Sequence, residues 1–143
     1  MHEIVLNLHM HSRYSDGGGS HRDIASAAVK CGLDAVLVTD HNVLVPALRG
    51  YYRDGARQVL VLIGEELHDR NRDPQKNHLL VFGANREMAA FAADPSNLIQ
   101  SINASGGLSF IAHLTDPAAP AFDEADISWV CLLYTSPSPR DCS

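Results

Sequence analysis

Runs of β-branched residues and leucine alternate with segments of helical spacing along most of this chain. The first run, Ile4 to Leu8, predicts a strand that leads directly into His9, Met10 and His11. A glycine-rich loop, Asp16 to Gly19, follows. Ser20 is placed to cap a helix over His21 to Cys31, in which Ile24, Ala27, Ala28 and Cys31 recur at helical spacing, and Gly32 is a natural stop for it. Ala35 to Thr39 reads as a fully buried strand that delivers Asp40, His41 and Asn42 at its exit. A second helix is expected within Pro46 to Arg53. Gln58 to Ile63 predicts a third strand, ending at Gly64, Glu65 and Glu66. The polar stretch Asp69 to Asn77 reads as a loop and His78 to Phe82 as a fourth strand. Ser96 is the expected cap of a helix through Ile102. Gly106 and Gly107 then lead into a fifth strand, Leu108 to Ala112, which ends on His113, and Ile127 to Val130 is expected to open a sixth.

Strands alternating with helices imply an α/β fold whose sheet is mostly parallel and is either covered on both faces or closed into a barrel. Sites in such folds gather at the carboxyl ends of the strands, and His, Asp and Glu recur at that edge here. With 143 residues, 45% of them apolar and 20% charged, the chain has the profile of one globular domain. It is too short for a complete (β/α)8 barrel, which takes about 250 residues. The balance of 11 Lys and Arg against 17 Asp and Glu gives a net charge of −6. No basic run is present, which argues against duplex nucleic acid held by phosphate contacts. If the protein handles phosphate, metal ions or a few single residues must supply the positive charge. Three widely spaced cysteines without a Cys-x-x-Cys pair suggest neither a disulfide framework nor a thiolate zinc site. The N-terminus lacks a basic n-region, and no apolar run reaches membrane-spanning length, so a cytoplasmic protein with no membrane partner is expected.

The strongest local signal is His9-x-His11 followed by Ser15-Asp16-Gly17. Two imidazoles two residues apart at a strand end project to the same side, and Asp16, carried back by the loop, can add an oxygen ligand. On its own a His-x-His pair is equally consistent with an exposed polar strand end. The metal reading strengthens because Asp40, His41, Glu66, His78 and His113 recur at the ends of other elements, as a polynuclear site assembled from several loops requires. Gly17 to Gly19 lack a Walker lysine and the dinucleotide spacing, and read as a flexible turn. Arg13 beside the motif is a candidate for a substrate phosphate or simply an exposed arginine. His2, His21 and His68 read as surface residues, with His68 held in reserve because it lies two residues after Glu66. Cys31 reads as helix core.

Taken in order, these motifs resemble the PHP (polymerase and histidinol phosphatase) family of metal-dependent phosphoesterases. Leu8 to Gly17 is similar to its His-x-His and Ser-Asp-Gly motif, and Val38 to Asn42 to its Thr-Asp-His motif. Gly64-Glu65-Glu66 resembles the Gly-x-Glu that supplies a bridging carboxylate, which assigns that role to Glu66. Asn77 to Gly83 is similar to the histidine-bearing strand that follows, and Phe110 to His113 to the Ala-His strand end, with Leu114 in place of the usual proline. The resemblance covers residues 3 to 130. It implies a distorted (β/α)7 TIM-like barrel, here incomplete with five or six βα units, holding two or three divalent ions of zinc, manganese or iron. The metal ligands it implies are His9, His11, Asp16, His41, Glu66, His78 and His113. In that reading His9, His11 and Glu66 hold one ion, Glu66 bridges, His78 and His113 help hold a second, and Asp16 and His41 complete a possible third. Asp40, His41 and Glu66 are the expected catalytic group, Asp40 by orienting a ligand histidine.

The activity implied is hydrolysis of a phosphomonoester or short nucleotide ester by a metal-bound hydroxide, with a small phosphorylated molecule as the partner. Two rivals stand beside it. The same site could cleave a carbamate or amide. Alternatively, the chain is a catalytically silent metal-binding fragment, because the family's later Asp-x-His motif has no match here. A proofreading role on nucleic acid is disfavoured by the acidic balance. The expected domain spans residues 1 to 130. Residues 131 to 143 abandon the βα rhythm for a Ser/Pro stretch that resembles translated sequencing-adapter read-through, and the oligomeric state is open.

Overall fold

The computed structural model describes residues 3–71 and 78–112. They form six strands and two α-helices in a mixed α/β fold whose sheet curls into a half-barrel, the architecture of an incomplete TIM-like barrel. The strands are β1 (Leu6–Asn7), β2 (Ala35–His41), β3 (Gly50–Asp54), β4 (Arg57–Leu67), β5 (Leu79–Phe82) and β6 (Leu108–Ile111); the helices are α1 (His21–Lys30) and α2 (Pro95–Ala104). The sheet order is β1-β2-β4-β5-β6, with β3 pairing β4 outside that path.

The ladder directions depart from the mostly parallel expectation. β1, β2 and β4 run parallel, but β3 and β5 both lie antiparallel to β4, and β6 lies antiparallel to β5. The helix expected within Pro46 to Arg53 is a single 3-10 turn, Pro46–Leu48, followed by β3. The reason lies in the next few residues. Tyr51 and Tyr52 favour a strand, and Gly55, at φ 61, opens a two-residue turn that folds β3 back on β4 with Asp54 opposite Arg57. Positive φ at the first central position alone matches the type II′ hairpin turn. The βα alternation is therefore less regular than anticipated.

α1 forms where it was expected. Ser20 Oγ accepts from the Asp23 N–H at 3.2 Å, while Asp23 Oδ2 accepts from the Ser20 N–H at 2.8 Å, a reciprocal cap. At the far end Gly32, at φ 76, lets the Leu33 N–H reach the Ala28 carbonyl at 2.9 Å. The helix buries Ala25, Ala28 and Val29 rather than the stripe through Ala27 and Cys31, and Cys31 is an exposed C-cap, not core. α2 starts earlier than Ser96 predicts. Its cap is Asp94, which accepts from the Asn97 N–H at 3.1 Å, with Pro95 filling the first helical position.

Both helices cover one face of the sheet. Val36, Val38, Val59 and Val61 pack with Ala25, Ala28 and Val29 of α1, while Leu67, Leu79, Val81 and Ile111 pack with Leu98, Ile99 and Ile102 of α2. Side chains alternate between faces along a strand, so the register that pairs Thr39 with Gly64 and His41 with Glu66 sends those residues to the face away from the helices. Asp40 and Glu65, paired with each other, point to the helical side. Near the end of this ladder the backbones crowd. A Cβ added at Gly64 would sit 2.6 Å from the Val81 carbonyl oxygen and 3.0 Å from the Phe82 ring. Gly64→Ala is expected to cost roughly 1–3 kcal/mol in chemical denaturation through overpacking. Gly18→Ala, with nothing within 4 Å of its Cβ, should stay within about 0.5 kcal/mol. Equal effects would show that the ladder yields at no cost.

Candidate metal centre

Glu66 has no exposed surface. A carboxylate so placed requires partners for its oxygens, and histidines from three other segments converge on it. His9 and His11, leaving the end of β1, put their Nε2 atoms 2.8 and 2.9 Å from Oε2. His78, at the entry to β5, puts Nδ1 2.8 Å from Oε1. His41, at the end of β2, lies 3.8 Å from Oε2 through Nδ1 and 3.9 Å from an Asp16 oxygen through Nε2. Asp16 also stands 3.5 Å from His11 Nδ1. The His11 and His41 rings stack at 4.5 Å.

The donor set fits divalent cations. Three overlapping groups have ligand atoms close enough to share an ion: His9 with His11 and Glu66, His11 with Asp16 and His41, and His41 with Glu66 and His78. Imidazole nitrogen and carboxylate oxygen suit zinc, manganese and iron. The buried Nδ1 atoms of His11 and His41 have no hydrogen-bond partner. His9 Nε2 and His11 Nε2 face each other at 3.1 Å, a convergence of ring nitrogens that one cation between them would satisfy. Burial is the main force carrying the His41 imidazole down to about 4; Glu66 opposes it, and His11, His78 and His68 add to it. Its ring is therefore neutral at neutral pH, with a lone pair to offer.

The loop that carries Asp16 back to His11 is held from behind. Asp40 Oδ1 accepts from the Ser12 N–H at 2.6 Å and from the Ser15 hydroxyl at 2.9 Å, and Oδ2 accepts from the Ser12 hydroxyl at 2.7 Å. The hydrogen bonds of Asp40 thus run to the loop that carries His11 and not to a ligand imidazole itself. Asp40 faces the helical side of β2 and fixes the loop. Gly17 is more than a flexible turn, since a Cβ there would lie 2.1 Å from the His11 carbonyl oxygen; only glycine lets the loop close so tightly. Arg13 turns its exposed guanidinium to Asp23 of α1 at 3.3 Å.

Two histidines read as surface residues are buried. His21 stands edge-on to Tyr14, and burial holds its imidazole below the usual range against the pull of Asp40. His68 lies beside His41 and His78. The signal for His68 was its parity with Glu66, which places it on the same face of the chain leaving β4. His113 and His2 lie outside the described residues, as do Ile127 to Val130 and the stretch from 131 to 143.

A family model, the PHP domain, matches residues 7–128. The chain belongs to the PHP domain family. Among curated proteins, the DNA polymerase/3'-5' exonuclease PolX of Bacillus subtilis is 36% identical over 56 residues, 39% of this chain and 10% of that protein. DNA polymerase III subunit alpha of Borreliella burgdorferi is 35% identical over 65 residues, 44% of this chain and 6% of that protein. The PHP domain described here thus spans a tenth or less of those two relatives through the matched segments. A crystal structure of a Bifidobacterium adolescentis protein, proposed to be a metal-dependent phosphoesterase, shares the fold with a TM-score of 0.59 at 14% identity, over 87% of this chain and 73% of that one. Among the described residues no helix is long and apolar enough to cross a membrane.

Glu65, next to the centre in sequence, is separated from it by the alternation of β4. One of its oxygens accepts from the Met88 N–H at 3.1 Å and the other has no partner. Burial pushes its carboxyl up to about 7, against the lowering effect of that bond. A folded pKa raised above the unfolded 4.5 makes the contribution of Glu65 complete below that value and lost as pH rises through about 7. In urea melts of the metal-free protein, Glu65→Gln is therefore expected to gain stability relative to the parent between about pH 5 and about pH 8, by roughly 2–3 kcal/mol at most. A difference that does not change with pH would mean that Glu65 ionises as it would in water.

Proposed function

We propose that this PHP domain is a metal-dependent hydrolase of phosphate esters, acting on a phosphomonoester or the terminal ester of a short nucleotide. The observation that carries the reading is the division of Glu66, with one oxygen facing His9 and His11 and the other facing His78. Such a carboxylate can serve two ions at once. His9, His11 and Glu66 would hold one, and His41, Glu66 and His78 the other. A third ion between His11, Asp16 and His41 would draw on the second nitrogens of rings that serve the first two, and this reading rests on the two ions that share Glu66. When bound, the ions supply Lewis acidity toward a phosphoryl oxygen and lower the pKa of a water molecule.

The chain's own residues do the rest. Burial keeps His41 neutral, so no proton competes for its nitrogen near neutral pH. Asp40 fixes Ser12 and Ser15 and so holds His11 and Asp16 in place. Asp16 has part of its carboxylate exposed beside His11 and His41, which suits it to accept a proton at the solvent side. Arg13 lies close by in sequence. Its exposed pair with Asp23 is of the kind that contributes little, so a substrate phosphate can draw it across. The phosphate class is favoured over amide or carbamate because a curated relative is named as an exonuclease, an enzyme class that cleaves phosphodiesters. The net charge of −6 favours a small ester over a long duplex. The reading takes residues 1 to 130 as the domain and the cytoplasm as its compartment.

The test uses the whole chain, stripped with a chelator and reloaded with zinc, manganese or iron. Hydrolysis of p-nitrophenyl phosphate and of a dinucleotide is expected to return with metal, and that of p-nitrophenyl acetate to stay near background. His9→Ala with His11→Ala is expected to remove one bound ion per chain and to lower the phosphoester rate by at least about 100-fold, as loss of a metal's Lewis acidity would. Unchanged metal content and rate in that variant would exclude the proposed centre. Reloaded protein that cleaves only the carboxyl ester would move the assignment to the rival bond class.

A further inference from the structure

Three imidazoles meet on one side of Glu66, and one of them has no part in the proposed ion sites. His68 follows directly on β4 and shares the face of Glu66, with only 6% of its surface exposed. Its ring lies nearly parallel to that of His78, at 4.9 Å and 18°. It stands edge-on to His41 at 5.1 Å and 78°. His41 and His78 are themselves edge-on at 5.3 Å. The three rings form a closed triangle in which each touches the other two, while among the described residues no nitrogen of His68 joins a group of atoms able to share an ion.

The backbone under His68 is fixed as firmly as the ring. Its N–H donates to Asn42 Oδ1 at 3.1 Å, and the Asn42 N–H donates to the Glu66 carbonyl at 3.0 Å. Arg70 donates to the Asn42 carbonyl at 3.0 Å. Asn42 itself sits at φ 53, a left-handed conformation that asparagine tolerates better than most residues. Asn42 therefore ties the exit of β2 to the exit of β4, one residue beyond the two ligands His41 and Glu66. The place of His68 is set by this clamp, with a hydrogen bond to the Asp69 backbone beside it, while its Nδ1 is buried with no hydrogen-bond partner.

We infer that His68 is a positioning residue, whose ring holds His78 and His41 in the orientations that bring their nitrogens to Glu66. The inference rests on the two-ion reading above. It assigns the work to the flat aromatic face of His68 and not to its nitrogens. A histidine that ligates metal needs its ring orientation fixed from outside the coordination sphere, and removing such support commonly weakens metal affinity by about 10–100-fold. Hydrogen bonds commonly give that support, and the stacked ring of His68 adds to it for His78. A phenyl ring, having the face but no nitrogen, should replace His68 in this role, and a methyl group should not.

Binding of cobalt(II) to the full chain, read from its visible absorption and by equilibrium dialysis, separates the possibilities. His68→Ala is expected to weaken one of the two binding steps by about 10–100-fold and to leave the other unchanged, and His68→Phe to restore both steps to within about 3-fold of the parent. The ring resonances of His78 and His41 in the metal-free protein provide a second measurement. Their nuclear Overhauser contacts with Glu66 are expected to weaken in His68→Ala and to persist in His68→Phe, while those of His9 stay in place. Equal weakening in His68→Phe and His68→Ala would overturn the inference by making a nitrogen, and not the ring face, the acting group. Parent-like cobalt binding in His68→Ala, with the ring contacts to Glu66 kept, would overturn it as well. If His68→Ala does not fold, His68→Phe decides through the same binding steps. A parent chain that binds no cobalt would fail the metal reading itself, and the ring resonances would still decide the role of His68.

Discussion

The arrangement of this protein turns on one buried carboxylate. Glu66 has no contact with solvent and both of its oxygens are engaged by imidazole nitrogens, from the chain after β1 and from the entry to β5. An unpaired charge in that position would be among the most costly features a fold can carry. The histidines are thus as necessary to Glu66 as it is to them. The same nitrogens that satisfy the carboxylate as N–H donors in the metal-free protein are the lone pairs a cation would take. The need to satisfy this carboxylate is one reason the ends of β1, β2 and β4 and the entry to β5 meet at one point.

Strand alternation then divides the chemistry between two faces. Adjacent residues Asp40 and His41 part company at the end of β2, and Glu65 and Glu66 do so near the end of β4. One member of each pair enters the centre. The other turns to the helical layer, where Asp40 fixes the Ser12 to Ser15 loop and Glu65 receives the Met88 N–H. Their environments follow from this division. Glu65, buried with a single hydrogen bond and with Glu87 acting on it, holds its proton to about 7.

Much of this was legible in the residues. Spacing located α1, β2, β5 and β6 closely, and His-x-His, Asp-His and the second glutamate of Gly-Glu-Glu led to the side chains that surround Glu66. The strand directions were not legible, because alternating apolar runs look alike whether a neighbour is parallel or antiparallel. The helix expected at Pro46 failed for a local reason. The Asp54-Gly55 step is a hairpin signal, and it outweighed the start signal of the proline. Helix α2 was misjudged by two residues because Ser96 resembles a cap, whereas Asp94 followed by Pro95 is the better one. His68 was held in reserve for its spacing from Glu66 and Asn42 stood at the exit of β2, but their contacts with each other were not legible. Only the closing of β2 against β4 brings the asparagine under one histidine and that histidine against two others.

The turn at Gly55 opens the strand whose alternation decides which acid the centre receives. A two-residue connection sets Tyr52 opposite Val59 and Gly50 opposite Val61, and hairpin register depends on turn length. With Val59 and Val61 committed to α1, counting forward by twos leads to Glu65 on the helical side and leaves Glu66 for the histidines. One residue gained or lost between Val61 and Glu66 would exchange the two carboxylates. In terms of inheritance, the segment tolerates changes of letter far better than changes of length, and its descendants should vary in composition while keeping the count from the turn to the acid.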